Sequence, residues 1–346
     1  MRPMLNPGLR RVWRDPATVQ FGVDVPEPVV LHGIDDGAAA LLGRLDGSMD
    51  LEAFVQRATQ EGHQPDAIRQ LIRELARSGV LIDAATWPGG SALTPTARSR
   101  LAPDLAASAL TQWAAPGPAD RCAQLAATSI TIHGVGRLGA ILGVLLSASG
   151  IGTIDIVDDR TVRPEDVCVA GFSAADVGES RASLSSHLAQ WKSVAEVPPT
   201  RQLVIVTNGD SRQLAQSLTA AGTPHLMVTC TESVGRIGPF VLPGESSCLR
   251  CHDLTHTDRD PGWPRVVVQL DDDAEHLASD SNLTLATGAT AVLHLISWLS
   301  GGQPPSLNGV VELRLPNGDS AQQPIPFHSA CGCTWPIKND QDTMVR

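Results

Sequence analysis

The chain has 346 residues, enough for two domains with full cores. Its 26 Lys+Arg stand against 37 Asp+Glu, a net charge of −11, which argues against a polyanionic partner such as nucleic acid. The opening MRPMLNPGLRRVW holds no apolar stretch fit for a signal peptide, and the apolar run from Leu138 to Leu146 is too short to cross a bilayer. A soluble cytoplasmic protein with no membrane partner is the expectation. No internal repeat or low-complexity block is apparent.

Residues 1–85 read as a small α+β domain. Thr18 to Val23 and Pro28 to Gly33 predict two short strands joined by a Pro-rich turn. Asp35 and Asp36 offer an N-cap to a helix from Gly37 to Leu45, and Ser48 to Asp50 cap a second, Leu51 to Gln60. Pro65 and Asp66 start a third from Ala67 to Ser78, with Ile68, Leu71, Ile72 and Leu75 on one face. Val80 to Ile82 closes the set as a strand. Two strands, three helices and a strand form a winged-helix-like module. With mixed charge and no basic recognition helix, peptide or protein binding suits it better than DNA.

Residues 86–120 are rich in Pro, Gly, Ser and Ala and read as a linker carrying one helix, Ala102 to Trp113. Residues 121–346 then form the larger domain, organised around Ser129 to Arg160. A β-branched strand, Ser129 to His133, meets the turn Gly134, Gly136, Gly139, then an apolar helix, then a second strand, Thr153 to Val157, closing on Asp158 and Asp159. This is the pattern of a βαβ nucleotide-binding unit. Gly134 permits the tight turn, Gly136 lets backbone amides approach a phosphate, and Gly139 lets helix and strand pack closely. The acid after the second strand could accept from a ribose hydroxyl. The alternative is a retained scaffold that binds no nucleotide.

Downstream, Gly178 to Arg181 opens a helix reaching about Trp191. Gln202 to Thr207 is a buried strand, and the turn from Asn208 to Ser211 caps the next helix. Pro224 to Cys230 is another strand. Ser233 to Leu242 reads as a hairpin-like pair punctuated by Gly235 and Gly238. A polar, acidic stretch from His252 to Asp280 precedes a strong helix, Leu283 to Leu299, and then strands from Val310 to Leu315 and Pro324 to Phe327.

Of seven cysteines, Cys248 and Cys251 make a CxxC, and Cys331 and Cys333 a CxC far down the chain. Two close pairs on separate segments can supply four thiolates to tetrahedral zinc, as a structural staple. A disulfide or free thiols are the alternatives, and a reducing compartment disfavours the disulfide. His252 and His328 adjoin the pairs and could substitute. Cys230 ends an apolar strand and reads as a small buried hydrophobe.

A glycine-turn βαβ unit followed by CxxC and a distant cysteine pair resembles the ThiF/MoeB/HesA superfamily, the ubiquitin-activating-enzyme-like adenylating proteins, over about residues 125–335. VGRIGPFVLPG at Val234 to Gly244, CLRCHDL at Cys248 to Leu254, DRDPGWP at Asp258 to Pro264 and HSACGC at His328 to Cys333 look like the bacterial branch found in ribosomal-peptide gene clusters. The resemblance implies a Rossmann-like ThiF-type doubly wound sheet preceded by a peptide-recognition domain similar to PqqD. Such members present a precursor's leader peptide to a partner, often a YcaO-type cyclodehydratase, and many catalyse nothing. It also admits a homodimer.

Adenylating members activate a C-terminal carboxylate by its attack on the α-phosphate of Mg-ATP, which needs cations against the phosphates and a carboxylate for the metal. Asp158 matches the family's ribose-binding acid. Arg137 stands where the family prefers a glycine. Glu165 or Asp166, and Cys168, stand near its asparagine and arginine, and Arg181 replaces its lysine. The metal-binding aspartate falls at Gly209, or at Asp210 with a one-residue shift. These departures imply a degenerate site. In the adenylyltransferase alternative, Asp158, Arg181 and Asp210 are catalytic, and Arg137 and Arg181 take the cationic roles. NAD(P) binding is disfavoured by the cysteine pairs and by missing hydride-transfer residues.

Overall fold

In a computed structural model, residues 1–87, 95–110, 118–188, 197–207, 211–270 and 279–334 are described. The chain divides into two compact units, Met1–Ala123 and Gln124–Arg346.

The first unit opens with β1 (Pro3–Leu5), β2 (Arg11–Asp15), β3 (Thr18–Phe21) and β4 (Val29–His32). Helices α1 (Asp36–Gly43), α2 (Leu51–Gln60) and α3 (Pro65–Arg77) follow, then β5 (Leu81–Asp83) and α4 (Pro95–Ser108). Asp35 and Asp50 cap α1 and α2 by accepting from the backbone of Ala38 and Ala53. Ile68, Ile72 and Leu75 of α3 pack with Val19, Phe21 and Phe54 in one core.

Two strands here exceed the sequence reading. β2 joins β3 and β4 in an antiparallel sheet of order β2-β3-β4, and β5 pairs with β1 rather than with that sheet. All five residues of β2 are exposed, so no burial pattern marks it in the sequence. The helix expected from Ala102 is α4, which starts seven residues earlier, at Pro95. It belongs to the first unit, where the Ala109 carbonyl accepts from Asn6 Nδ2. It also ends sooner than expected, at Ser108 with a turn at 109–110, while Trp113 itself lies outside the described residues.

After α5 (Pro118–Ala126), β6 (Thr128–His133), α6 (Arg137–Ala148) and β7 (Thr153–Val157) form the expected βαβ unit. Then come α7 (Leu184–Leu188), β8 (Arg201–Val206), α8 (Ser211–Ala220), β9 (His225–Thr231) and β10 (Val234–Val241). The chain continues with α9 (Leu249–Arg259), α10 (Trp263–Leu270), α11 (Ser281–Leu299), β11 (Gly309–Arg314) and β12 (Asp319–Pro324). Seven strands lie in the order β12-β11-β10-β9-β8-β6-β7. β7, β6, β8 and β9 run parallel, and β10, β11 and β12 extend the sheet antiparallel. Helices α6, α7 and α11 cover one face, with Ile130, Ile132, Leu142 and Leu295 in the core. α8 covers part of the other, over Val204, Val206 and Met227. Chain crossovers leave β6 in opposite directions, so the crevice at the carboxyl ends of β6 and β8 is where such folds take ligands.

Three readings are corrected here. Ser233 to Leu242 is one strand, β10, bulged between Ile237 and Phe240 and paired with β9 and β11. Gly235 therefore marks a close contact rather than a turn: a Cβ there would lie 1.8 Å from Thr287 Oγ1 of α11. The stretch from His252 carries most of α9, whose few apolar residues are lost among His, Asp and Thr, and α10, which at eight residues is too short for a helical period to show. Finally, β12 lies before Pro324 rather than after it, because it is an edge strand of polar residues with no apolar alternation. Helix α11 is apolar enough by length and composition to cross a membrane, but it packs on α6 and β10 and buries Leu283, Thr287, Ala291 and Leu295.

The β10–α11 contact yields a test. Gly235→Ala should cost about 1–3 kcal/mol by overpacking, read as a lower urea midpoint with unchanged slope. Adding Thr287→Ala, which removes the Oγ1 that the new methyl would meet at 1.8 Å, should recover part of the loss. An unshifted midpoint in Gly235→Ala would refute the contact.

Candidate functional site

At the end of β6 the chain must turn sharply into α6. Gly134 does so with φ +84°, in the left-handed region, and its N–H donates to the Val157 carbonyl at 3.1 Å. Gly136 is the N-cap of α6 and offers no side-chain cap. Gly139 allows the helix down onto the turn, since a Cβ there would lie 2.3 Å from the Gly134 carbonyl oxygen. An apolar helix thus begins at the carboxyl end of the parallel strands, the arrangement that receives anions elsewhere.

Beside it the charged residues face one another. The Asp158 side chain is 1% exposed. Its Oδ2 accepts from Val135 N at 2.6 Å, Arg160 Nη2 at 2.8 Å and Arg181 Nη1 at 3.3 Å, and its Oδ1 accepts from Arg160 N and Nε. Burial alone would raise this carboxyl's pKa, but hydrogen bonds from Arg160 and Val135 prevail and hold it well below the usual carboxylate range. Arg181, 3% exposed, also donates from Nη2 and Nε to Asp166 Oδ2 at 2.7 and 3.0 Å. Asp166 Oδ2 further accepts from Arg163 N at 2.9 Å. Arg181 is therefore clamped between two acids.

Arg137 lies half-buried on the first turn of α6. Its guanidinium donates to the Glu165 carbonyl at 2.7 Å, the Ser279 carbonyl at 2.6 Å and Ser281 Oγ at 3.3 Å. It ties the glycine turn to the following loop and to the start of α11. Cys168 Sγ points to the Arg137 carbonyl at 3.7 Å, and burial pushes its thiol pKa up against the opposing charge of Arg137, which does not suit a nucleophile. Gly209 and Asp210 lie outside the described residues. Sequence reasoning named Asp158, Arg181 and Asp166 but not their mutual pairing. It missed Arg160, whose proximity to Asp158 in the chain was the only available signal.

The second constellation joins the ends of α9 and of the chain's last strand pair. Cys248 is the N-cap of α9 and Cys251 lies in its first turn, while Cys331 and Cys333 follow β12. All four sulfurs lie within 4.8 Å of one another, with Cys248–Cys331 and Cys251–Cys333 at 3.4 Å. Thiolates 2.3 Å from a tetrahedral ion would stand ~3.8 Å apart, so this set fits a sulfur-ligated metal. The His328 N–H points at Cys251 Sγ at 3.5 Å. Hydrogen bonds from Cys248 and its neighbours hold the Cys251 thiol well below its ordinary pKa, while Cys248 is pushed up by its hydrogen bond with Cys251 and by burial. Four crowded sulfurs cannot all ionise without a cation, which a metal would supply. His252 and His328 do not join them: the one faces His256 and the other faces Asp258.

A Rossmann-type crevice and a cluster of four cysteines, on a half-parallel sheet extended by antiparallel strands, define an α/β protein of the nucleotide-fold class. Residues 108–218 match the model of the ThiF family. No curated protein matches the sequence. Among solved structures, E. coli MccB with AMPCPP and selenomethionine MccA is similar at TM-score 0.70 and 13% identity, over 96% of this chain and 99% of that one. E. coli MccB with ATP is similar at TM-score 0.69 and 14% identity, over 96% and 99%. PaaA is similar at TM-score 0.66 and 14% identity, over 92% and 98%.

Proposed function

We propose that this protein binds a ribosomally made precursor peptide and presents its leader to a partner modifying enzyme, a YcaO-type cyclodehydratase, while its own nucleotide-type crevice is catalytically degenerate. Residues 1–85 would be the PqqD-like recognition domain, 86–120 the connection, and 121–346 the ThiF-like body, with one structural Zn2+ on Cys248, Cys251, Cys331 and Cys333. The observation that carries the degenerate reading is the closure of Asp158, Arg181 and Asp166 on one another. The acid placed for a ribose has both oxygens hydrogen-bonded inside the protein, and the cation placed for phosphates is neutralised. Losing one such donor costs a transition state ~2.7–4 kcal/mol.

A peptide ligand is supported by the structures of MccB with MccA, which match this chain along nearly its whole length. In the first unit, β2 is an open sheet edge with Val12 and Trp13 38% and 44% exposed, suited to an added strand. The second reading is an ATP- and Mg2+-dependent adenylyltransferase, favoured by the intact glycine turn of Gly134, Gly136 and Gly139 and by the similarity to MccB with ATP. The full-length protein should give no ATP–pyrophosphate exchange above background, yet should bind its cognate precursor peptide, once identified, in fluorescence anisotropy. Robust exchange that vanishes in Arg181→Ala or Asp158→Ala would make it an adenylating enzyme. Absent peptide binding would remove the presenting role.

A further inference from the structure

Helix α9 carries a histidine pair that neither the sulfur cluster nor the nucleotide-type crevice uses. His252 and His256 stand one turn apart on the same helical face, the spacing at which two imidazoles can share an ion. Their Nε2 atoms are 3.2 Å apart, with ring centroids at 4.4 Å and planes tilted by 54°. Two nitrogens each 2.0–2.1 Å from one metal and 3.2 Å from each other subtend about 100° at it, between octahedral and tetrahedral values.

Both rings are held. His256 stacks on Trp263 at the start of α10, with centroids at 4.7 Å and planes 26° apart. His252 turns its Nδ1 toward Asp253 Oδ1, 3.7 Å away, and this buried nitrogen has no hydrogen-bond partner. A carboxylate behind the non-ligating nitrogen is the usual support of a metal-bound histidine. Asp253 is itself anchored by Arg212 from α8 and by Trp263 Nε1 at 3.2 Å. The His252 side chain is 18% exposed, so an ion can reach it.

We propose that His252 and His256 form a second metal site, for a divalent first-row transition ion that favours imidazole, such as Ni2+ or Zn2+. Among the described residues no third protein ligand completes it, so water fills the remaining positions. Burial and the positive charges of Arg259 and Arg236 hold the His256 imidazole below its ordinary pKa. Asp253 offsets part of that charge.

The test uses tag-free, full-length protein that already carries its sulfur-bound metal. Calorimetric titration with Ni2+ should find one further equivalent per chain. Affinity for it should fall at least tenfold in His252→Ala and in His256→Ala, and by about 10–100-fold in Asp253→Asn. Retention of the sulfur-site metal checks that each variant is folded. In the unaltered protein, substoichiometric Ni2+ should broaden the imidazole NMR signals of His252 and His256 but not those of His63, a reading that needs no variant. Absence of a further equivalent, its survival in both histidine variants, or broadening centred elsewhere would overturn the site and leave an ordinary histidine–histidine hydrogen bond.

Discussion

A Cys331→Ser protein is expected to lose its bound metal and to melt well below the unaltered protein. Cys331 and Cys333 tie the end of the chain to α9, and the small core beneath them, Val241, Val310 and Ile325, packs around the same sulfurs. Without the ion, the crowded thiols must keep their protons or repel one another, as the opposed shifts of Cys251 and Cys248 already indicate. Structural zinc in isolated fingers is worth ~10–16 kcal/mol, an upper bound here because a large core surrounds the cluster. Elemental analysis should find one zinc per chain before the substitution and none after. Chelator treatment of the unaltered protein should reproduce the lowered Tm. Unchanged metal content or Tm in the variant would refute the staple.

Replacing Arg181 by Met should cost about 3–5 kcal/mol, because it leaves Asp166 buried without its cation and Asp158 with Arg160 alone. Neutralising both acids in the same protein, with Asp158→Asn and Asp166→Asn, should recover much of that loss. The pH dependence has a definite sign. Asp158 has a folded pKa below its ordinary value of 3.8, so its contribution is complete above that pH and is lost as pH falls through the lower folded value. The unaltered protein should therefore lose stability only below about pH 4 on this account. The Arg181→Met protein should lose less on the same acidification, since protonation relieves the carboxylate left buried without Arg181. Urea unfolding at pH 7 and near pH 3 measures both. A small loss at pH 7 would mean that Arg181 is not the cation that neutralises the pair.

The two predictions concern residues that the sequence named one at a time. Caps, glycines and apolar periodicity are local, so α1 from Asp35, α2 from Asp50 and the whole of β6, α6 and β7 were legible residue by residue. The cysteine pairs were legible too, because ligand spacing within each pair survives in the sequence while only their meeting is tertiary. Strands without a buried face were not: β2 and β12 show no alternation because solvent covers them, and their pairing depends on neighbours distant in the chain.

By itself the sequence determined the βαβ unit with its glycine turn, the two close cysteine pairs and the small helical module ahead of them, since each rests on short-range chemistry. Only the tertiary structure decided what the charges beside the turn do. Asp158, Asp166 and Arg181 read in isolation as a ribose acid, a repelling acid and a phosphate cation. Folding brings Arg181 within 3.3 Å of one carboxylate and 2.7 Å of the other. At such distances, and away from water, the three charges attract one another strongly.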